Sequence, residues 1–240
     1  MRRVEKMVNI VLWLISIVVG FAVIMTAFRL FGKTGLYIAS VISMILVNIQ
    51  VLKTVELFGM VTTLGNIMYG TTFLVTDILG EVYDKKKARI AVWTGFFALA
   101  VTVITMTLSI KFVPHETDFI QQSLINIFGI MPRIALASVT AYFCSQMHDV
   151  WAYSKWKEKY SKPSQIWIRN NASTIVSQFI DNTIFTLIAF LGVFPFEILI
   201  QIWATTYLIK FVVALCDTPF VYLARKWYDE GKCDLLKADK

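Results

Sequence analysis

The stretch "VTDILGEVYDKKKARIAV", Val75 to Val92, decides how this chain is read. An apolar run carries two carboxylates, Asp77 and Glu81, in its last turns and then meets four cations, Lys85, Lys86, Lys87 and Arg89. Composition supplies the context. Hydrophobic residues make up 57% of the 240 and charged residues 16%, against roughly 45–50% and about 25% in an ordinary soluble domain. The mean hydropathy is +0.65. Seven Trp, nine Tyr and eighteen Phe suit a polytopic membrane protein, whose interfacial belts use amphipathic rings. The net charge of +7 would suggest nucleic acid in a soluble chain, but its cations form short clusters between apolar runs. They read as topology signals.

Working outward from that stretch, apolar segments near the roughly 20 residues needed to cross a bilayer fall at Val8 to Phe28, Leu36 to Leu52, Leu57 to Val82, Ala88 to Val113, Met131 to Trp151, Asn170 to Leu191 and Glu197 to Leu223. The expected fold is an all-α integral membrane bundle of about six or seven transmembrane helices. Between the fourth and fifth segments, "PHETDFIQQSLINIFGIMP" (Pro114 to Pro132) is too polar to span. Its Phe119, Leu124, Ile127 and Phe128 fall near helical spacing, which predicts an interfacial helix.

The cation clusters "YDKKKAR", "SKWKEKYSKPSQIWIR" and the tail from Arg225 are separated by two spans each time, so they share one side. The positive-inside rule makes that side the cytoplasm. Counting back puts Arg29 to Lys33 on the same side and the N-terminus outside, against the charge of "MRRVEK". A re-entrant piece within Leu36 to Val82, with the N-terminus inside, is the alternative. The first segment is too long for a signal-peptide core and reads as an uncleaved anchor. The expected division is 1–34 as an extra N-terminal span, 35–224 as the transport domain and 225–240 as a cytoplasmic tail of a multi-pass protein of the cell membrane.

Three unpatterned cysteines, Cys144, Cys216 and Cys233, imply no disulfide framework. No Walker A loop, zinc-protease helix or G-x-S-x-G is present, and Cys144 with His148 has only Asp149 as a nearby third metal ligand. Neither a metal nor a cofactor is expected. The remaining chemistry is polar groups inside spans, each a functional candidate because it is costly there. Asp77 and Glu81 share a face near Tyr69 and Thr72. Gln146, Asp149 and Tyr153 follow at i, i+3 and i+7. Asn170, Ser173, Thr174, Ser177, Gln178 and Asp181 keep to one face, and Trp203, Tyr207, Lys210 and Asp217 follow at comparable spacing. Other readings stand beside these: Glu81 can pair with Lys85 four residues on, and Ala137, Ala141 and Ser145 read as interhelical glue. Asp181 and Lys210 fall near mid-span in antiparallel neighbours, where each is the other's best partner.

"FLVTDILGEVYDKKKAR" (Phe73 to Arg89), "SQMHDVWAYSKWK" (Ser145 to Lys157) and "WIRNNASTIVSQFIDNTIFTLIAF" (Trp167 to Phe190) resemble the three signature stretches of the queuosine precursor transporter family, also called the vitamin uptake transporter family. The resemblance implies six helices in a fold related to the substrate-binding components of energy-coupling-factor transporters. It also implies import of a 7-deazaguanine, with 7-cyano-7-deazaguanine, 7-aminomethyl-7-deazaguanine and queuine as the candidates. The matching signature positions imply substrate contacts at Gln146, Asp149, Asn170, Ser173, Gln178 and Asp181. A carboxylate from Asp77 or Glu81 would accept from the base's N–H and amine, and Tyr69, Phe73, Trp151 or Tyr207 would stack on the ring. Two other classes are a vitamin-binding subunit that needs an ATPase partner and a membrane enzyme acting on a lipid. The expected partners are the small molecule and the bilayer, not nucleic acid, and an ATPase is not required.

Overall fold

The computed structural model describes residues 2–159 and 166–236. Seven helices and one β-hairpin follow in the order α1 (Arg2–Gln50), β1 (Thr54–Leu57), β2 (Met60–Thr63), α2 (Gly65–Ile78) with a π-helical turn (Leu79–Tyr83), α3 (Lys85–Ser109), α4 (Gln121–Phe128), α5 (Met131–Lys159), α6 (Ile166–Phe190) and α7 (Phe196–Asp229). Among the described residues, four stretches are long and apolar enough to cross a membrane: Lys6–Gln50, Lys85–Ser109, Gln121–Ser145 and Phe196–Val213, with Ile175–Phe190 a shorter apolar helix. Their outer faces carry exposed Val18, Phe97, Leu136 and Leu208. Apolar surface on this scale is what a lipid-facing bundle presents.

α1 joins the first two expected spans. At Gly32 the backbone turns to φ 55° and ψ −132°, a conformation that only glycine adopts without strain. A straight 49-residue helix would be about 73 Å long. Instead the chain doubles back, and Lys6 near its start reaches Glu56 just beyond its end at 2.5 Å. Gly35 makes the reversal possible, because a Cβ there would stand 2.0 Å from the Ala27 carbonyl oxygen.

Two boundaries differ from expectation. The third segment was expected from Leu57, but Thr54 to Thr63 form an antiparallel hairpin with Leu57 opposite Met60. Phe58 (φ 53°) and Gly59 (φ 84°) make its turn, a conformation that matches strand twist. The fourth segment was expected from Ala88, but α3 already starts at Lys85, inside the cation cluster. Asp84 is extended (φ −172°) and its carboxylate accepts from the Lys87 backbone N–H at 2.9 Å, a helix N-cap. That break also explains why Glu81 does not pair with Lys85. The two residues lie on different helices, and Glu81 faces Arg225, whose guanidinium is 3.8 Å from the Glu81 carboxylate and donates to the Glu81 carbonyl at 3.0 Å. The interfacial helix expected before Pro132 is α4.

Two apolar clusters hold the bundle. One gathers Phe21, Phe28, Leu36, Leu74, Ile78 and Val213 from α1, α2 and α7; the other gathers Val51, Ile134, Phe190, Leu199 and Ile202. At one end of the bundle the tail returns to the α1 turn. Leu235 and Leu236 donate backbone N–H groups to the Arg29 and Leu30 carbonyls, Arg29 lies over the Trp227 ring, and Tyr83 meets Tyr228. Just before it, Lys232 at 2.8 Å holds the Glu230 carboxyl below its ordinary range. The opposite end holds the β-hairpin and Arg133, whose guanidinium donates to the Ile188 and Leu191 carbonyls at the end of α6.

Gly35→Val should lose folded protein on detergent extraction, a cost of about 3 kcal/mol or more because the opposing atom is backbone and cannot yield. Gly59→Ala, with open space around it, should cost about 1 kcal/mol from its positive φ alone. Thermal denaturation followed by size-exclusion chromatography checks both, and equal losses would contradict the close approach at Gly35.

Candidate functional site

Polar side chains on six helical segments converge on a cavity of about 540 Å³, inside the range of roughly 300–1,000 Å³ typical of small-molecule sites. Its described wall comes from the second half of α1 (Ser40, Asn48), α2 (Asn66, Thr72, Phe73, Thr76), α3 (Lys85, Arg89, Phe96), α5 (Ser138, Tyr142, Ser145), α6 (Ser177, Gln178, Asp181, Phe185) and α7 (Thr206, Lys210). No residue before Gly32 is on that wall.

Lys210 Nζ donates to Asp181 Oδ2 at 2.8 Å, with both side chains buried to within 7%. The expected partnership therefore forms, and it ties α6 to α7. Around it the wall ties the helices pairwise. Asn48 Nδ2 donates to the Met44 carbonyl, and its Oδ1 accepts from Ser138 on α5 at 3.1 Å. Asn66 donates to Thr206 on α7 at 2.7 Å and to Thr62 of the hairpin at 2.9 Å. Ser40 donates to the Ala91 carbonyl at 2.8 Å, and the His148 ring hydrogen-bonds Ser177 at 3.1 Å. One turn of α6 from Asp181, the Gln178 Oε1 is buried and has no hydrogen-bond partner among the described residues. Chemically the wall offers a carboxylate acceptor, an ammonium donor and a spare amide beside the rings of Phe73, Phe96, Tyr142 and Phe185.

Of the expected site residues, the structure brings Phe73, Gln178, Asp181 and Lys210 to this wall. Asp77 is exposed and off it, because it lies about a quarter turn round α2 from the face made by Thr72, Phe73 and Thr76. Glu81 is at the tail end with Arg225. Trp151 is exposed against His148. Tyr207 stacks on Trp203 with rings 6° from parallel and donates its hydroxyl to the Ile175 carbonyl at 3.3 Å, so it packs α7 on α6. The side chains of Tyr69, Gln146, Asp149, Asn170 and Ser173 lie outside the described residues.

Sequence reasoning passed over Asn48, Asn66, Tyr142, Thr206 and Arg89. Asn48 and Asn66 were visible as amides in or at the edge of apolar runs, and an amide in hydrocarbon is itself a signal. Tyr142 sits between Ser138 and Ser145 at i+4 and i+7. It shares a face with Ser145, which read only as small-residue packing.

A family model described as "Putative vitamin uptake transporter" matches residues 63–224. A protein of Bacillus subtilis (strain 168) described as "Probable queuosine precursor transporter" is 42% identical over 220 residues, covering 92% of this chain and 96% of the relative. No solved structure matches. The family match spans α2 to most of α7 and so takes in most of the cavity wall. This helical membrane protein belongs to the vitamin uptake transporter family, the queuosine precursor transporters.

Proposed function

We propose that the chain imports 7-deazaguanine precursors of the tRNA base queuosine and binds the base at the Asp181–Lys210 pair. The observation that carries this reading is a buried carboxylate and ammonium side by side on the wall of a cavity of base-accommodating size. The lactam edge of a 7-deazaguanine presents N–H donors next to a carbonyl acceptor. Asp181 accepts from the N–H groups, Lys210 donates to the carbonyl, and the spare Gln178 oxygen takes a remaining amine hydrogen. Phe73, Phe96, Tyr142 or Phe185 covers the flat apolar face.

In this reading the chain crosses the membrane seven times. Residues 1–34 add a span to a six-helix transport domain at 35–224, and 225–240 form a cytoplasmic tail. A wall drawn from the six later segments but not the first supports that division, and it accords with a fold related to energy-coupling-factor substrate-binding components. The protein is a carrier, not an enzyme, and does not require an ATPase subunit.

Access follows from the cavity's two ends. Lys85 and Arg89 on the wall are exposed, so the tail end is open. At the other end Thr62, Thr63, Gly65 and Asn66 are buried. There the Gln201 side-chain oxygen accepts from the Val61 N–H at 3.0 Å, latching β2 to α7, and the Thr205 hydroxyl, which donates to the Gln201 carbonyl at 2.7 Å, also lies 3.2 Å from the Val61 carbonyl. Lys6, Asn9 and Trp13 brace the hairpin from the other side, at Glu56 and Phe58. The hairpin is the outer gate, and substrate entry requires it to leave α7.

Cells that neither make nor import queuosine precursors should regain queuosine-modified tRNA when this protein is expressed and one of the three candidate precursors is supplied at low concentration. Absence of modified tRNA with all three, with the protein present in the membrane, would refute the assignment. Lys210→Met should strand the Asp181 carboxylate and destabilise the fold by about 3–5 kcal/mol. Adding Asp181→Asn should recover much of that stability but not uptake. Recovery of uptake by the double variant would make the pair purely structural. Finally, with the native cysteines replaced by Ser, bridging Val61→Cys to Gln201→Cys with a short thiol cross-linker should block uptake until reduced. Precursor binding in detergent should persist. Unimpaired uptake in the bridged protein would exclude the hairpin as gate.

A further inference from the structure

Outside the central cavity, one surface combines charge with apolar relief. A groove of about 430 Å³ runs along α3, lined by Lys86, Arg89, Ile90, Trp93, Thr94 and Phe97. These positions recur every three or four residues and form one face. The face is graded along its length: the cations are in the first turns, and Ile90, Trp93 and Phe97 follow, exposed by 44%, 53% and 72%. Neither Lys86 nor Arg89 has an ion-pair partner among the described residues.

We propose that this groove holds an acidic phospholipid, its phosphate between Lys86 and Arg89 and an acyl chain along Ile90, Trp93 and Phe97. Charge complementarity selects the head group, since two adjacent cations at headgroup depth attract an anionic lipid. Length selects the tail. From Lys86 to Phe97 the helix rises about 16 Å, close to half of a hydrocarbon core of about 30 Å, which is one leaflet. A soluble anion would use the head of the groove and leave its apolar floor of Ile90, Trp93 and Phe97 empty. Arg89 belongs to both the groove and the central cavity wall. A lipid phosphate therefore neutralises one of the charges at the mouth through which the cavity is reached.

The inference does not depend on which substrate is carried, and it is tested on the full chain in detergent without any substrate. Native mass spectrometry and thermal denaturation compare added phosphatidylglycerol, phosphatidylcholine and inorganic phosphate. Phosphatidylglycerol should be retained at least about fivefold better than phosphatidylcholine, and Lys86→Gln should lower that preference about fivefold, the effect of one interfacial cation. Phe97→Ala should weaken retention of the lipid without changing the response to phosphate. Lys111→Gln, an exposed cation elsewhere on the chain, should change nothing. Equal retention of the two lipids, a preference untouched by Lys86→Gln, or protection by inorganic phosphate equal to that of phosphatidylglycerol would overturn the proposal.

Discussion

A carboxylate and an ammonium ion 2.8 Å apart, Asp181 and Lys210, are the contact on which the interior of this protein is organised. Either charge alone in a bilayer-embedded bundle costs about 2.5–3.5 kcal/mol or more, so each requires the other and α6 must keep its register against α7. Several other wall groups obey the same constraint at lower stakes. Asn48 meets Ser138, Asn66 meets Thr206, and Ser40 meets a carbonyl of α3. Every pair joins two different helices, so the polar groups that make the cavity are also what align its walls.

This double use explains why the cavity can be polar without weakening the bundle. Apolar packing is collected into two clusters, and lipid supplies little further drive for helices to associate. Interhelical hydrogen bonds then set the geometry. Groups already placed by their mutual bonds need little reorganisation when a ligand arrives.

The N-terminal 62 residues lie outside the family-model match, yet they are not a loose appendage. Gly32 and Gly35 allow α1 to fold back on itself, and its outer limb ends at Glu56 and Phe58 of the β-hairpin. The hairpin's other edge is met by Gln201 and Thr205. A two-stranded hairpin is marginal alone; this one persists because both edges are held by helices.

The sequence alone determined the class of the protein. Apolar runs of spanning length, cation clusters between them and the signature-like stretches required a helical membrane transporter, because a buried backbone in lipid has few alternatives. It also made Asp181 and Lys210 each other's best partner, since two opposite charges at one depth on adjacent helices have no cheaper solution, and the structure pairs them. Helical phase and chain breaks were decided only in three dimensions. Asp77 looked like a site residue by type and depth, yet a quarter turn of α2 takes it off the wall. Glu81 looked one helical turn from Lys85, yet the π-helical turn and the Asp84 cap place them on separate helices, and Arg225, 144 residues away, is its neighbour instead. Tyr142 and Asn66 reach the cavity wall because α5, α2 and α7 converge, and convergence depends on packing among segments distant in sequence that no local pattern encodes.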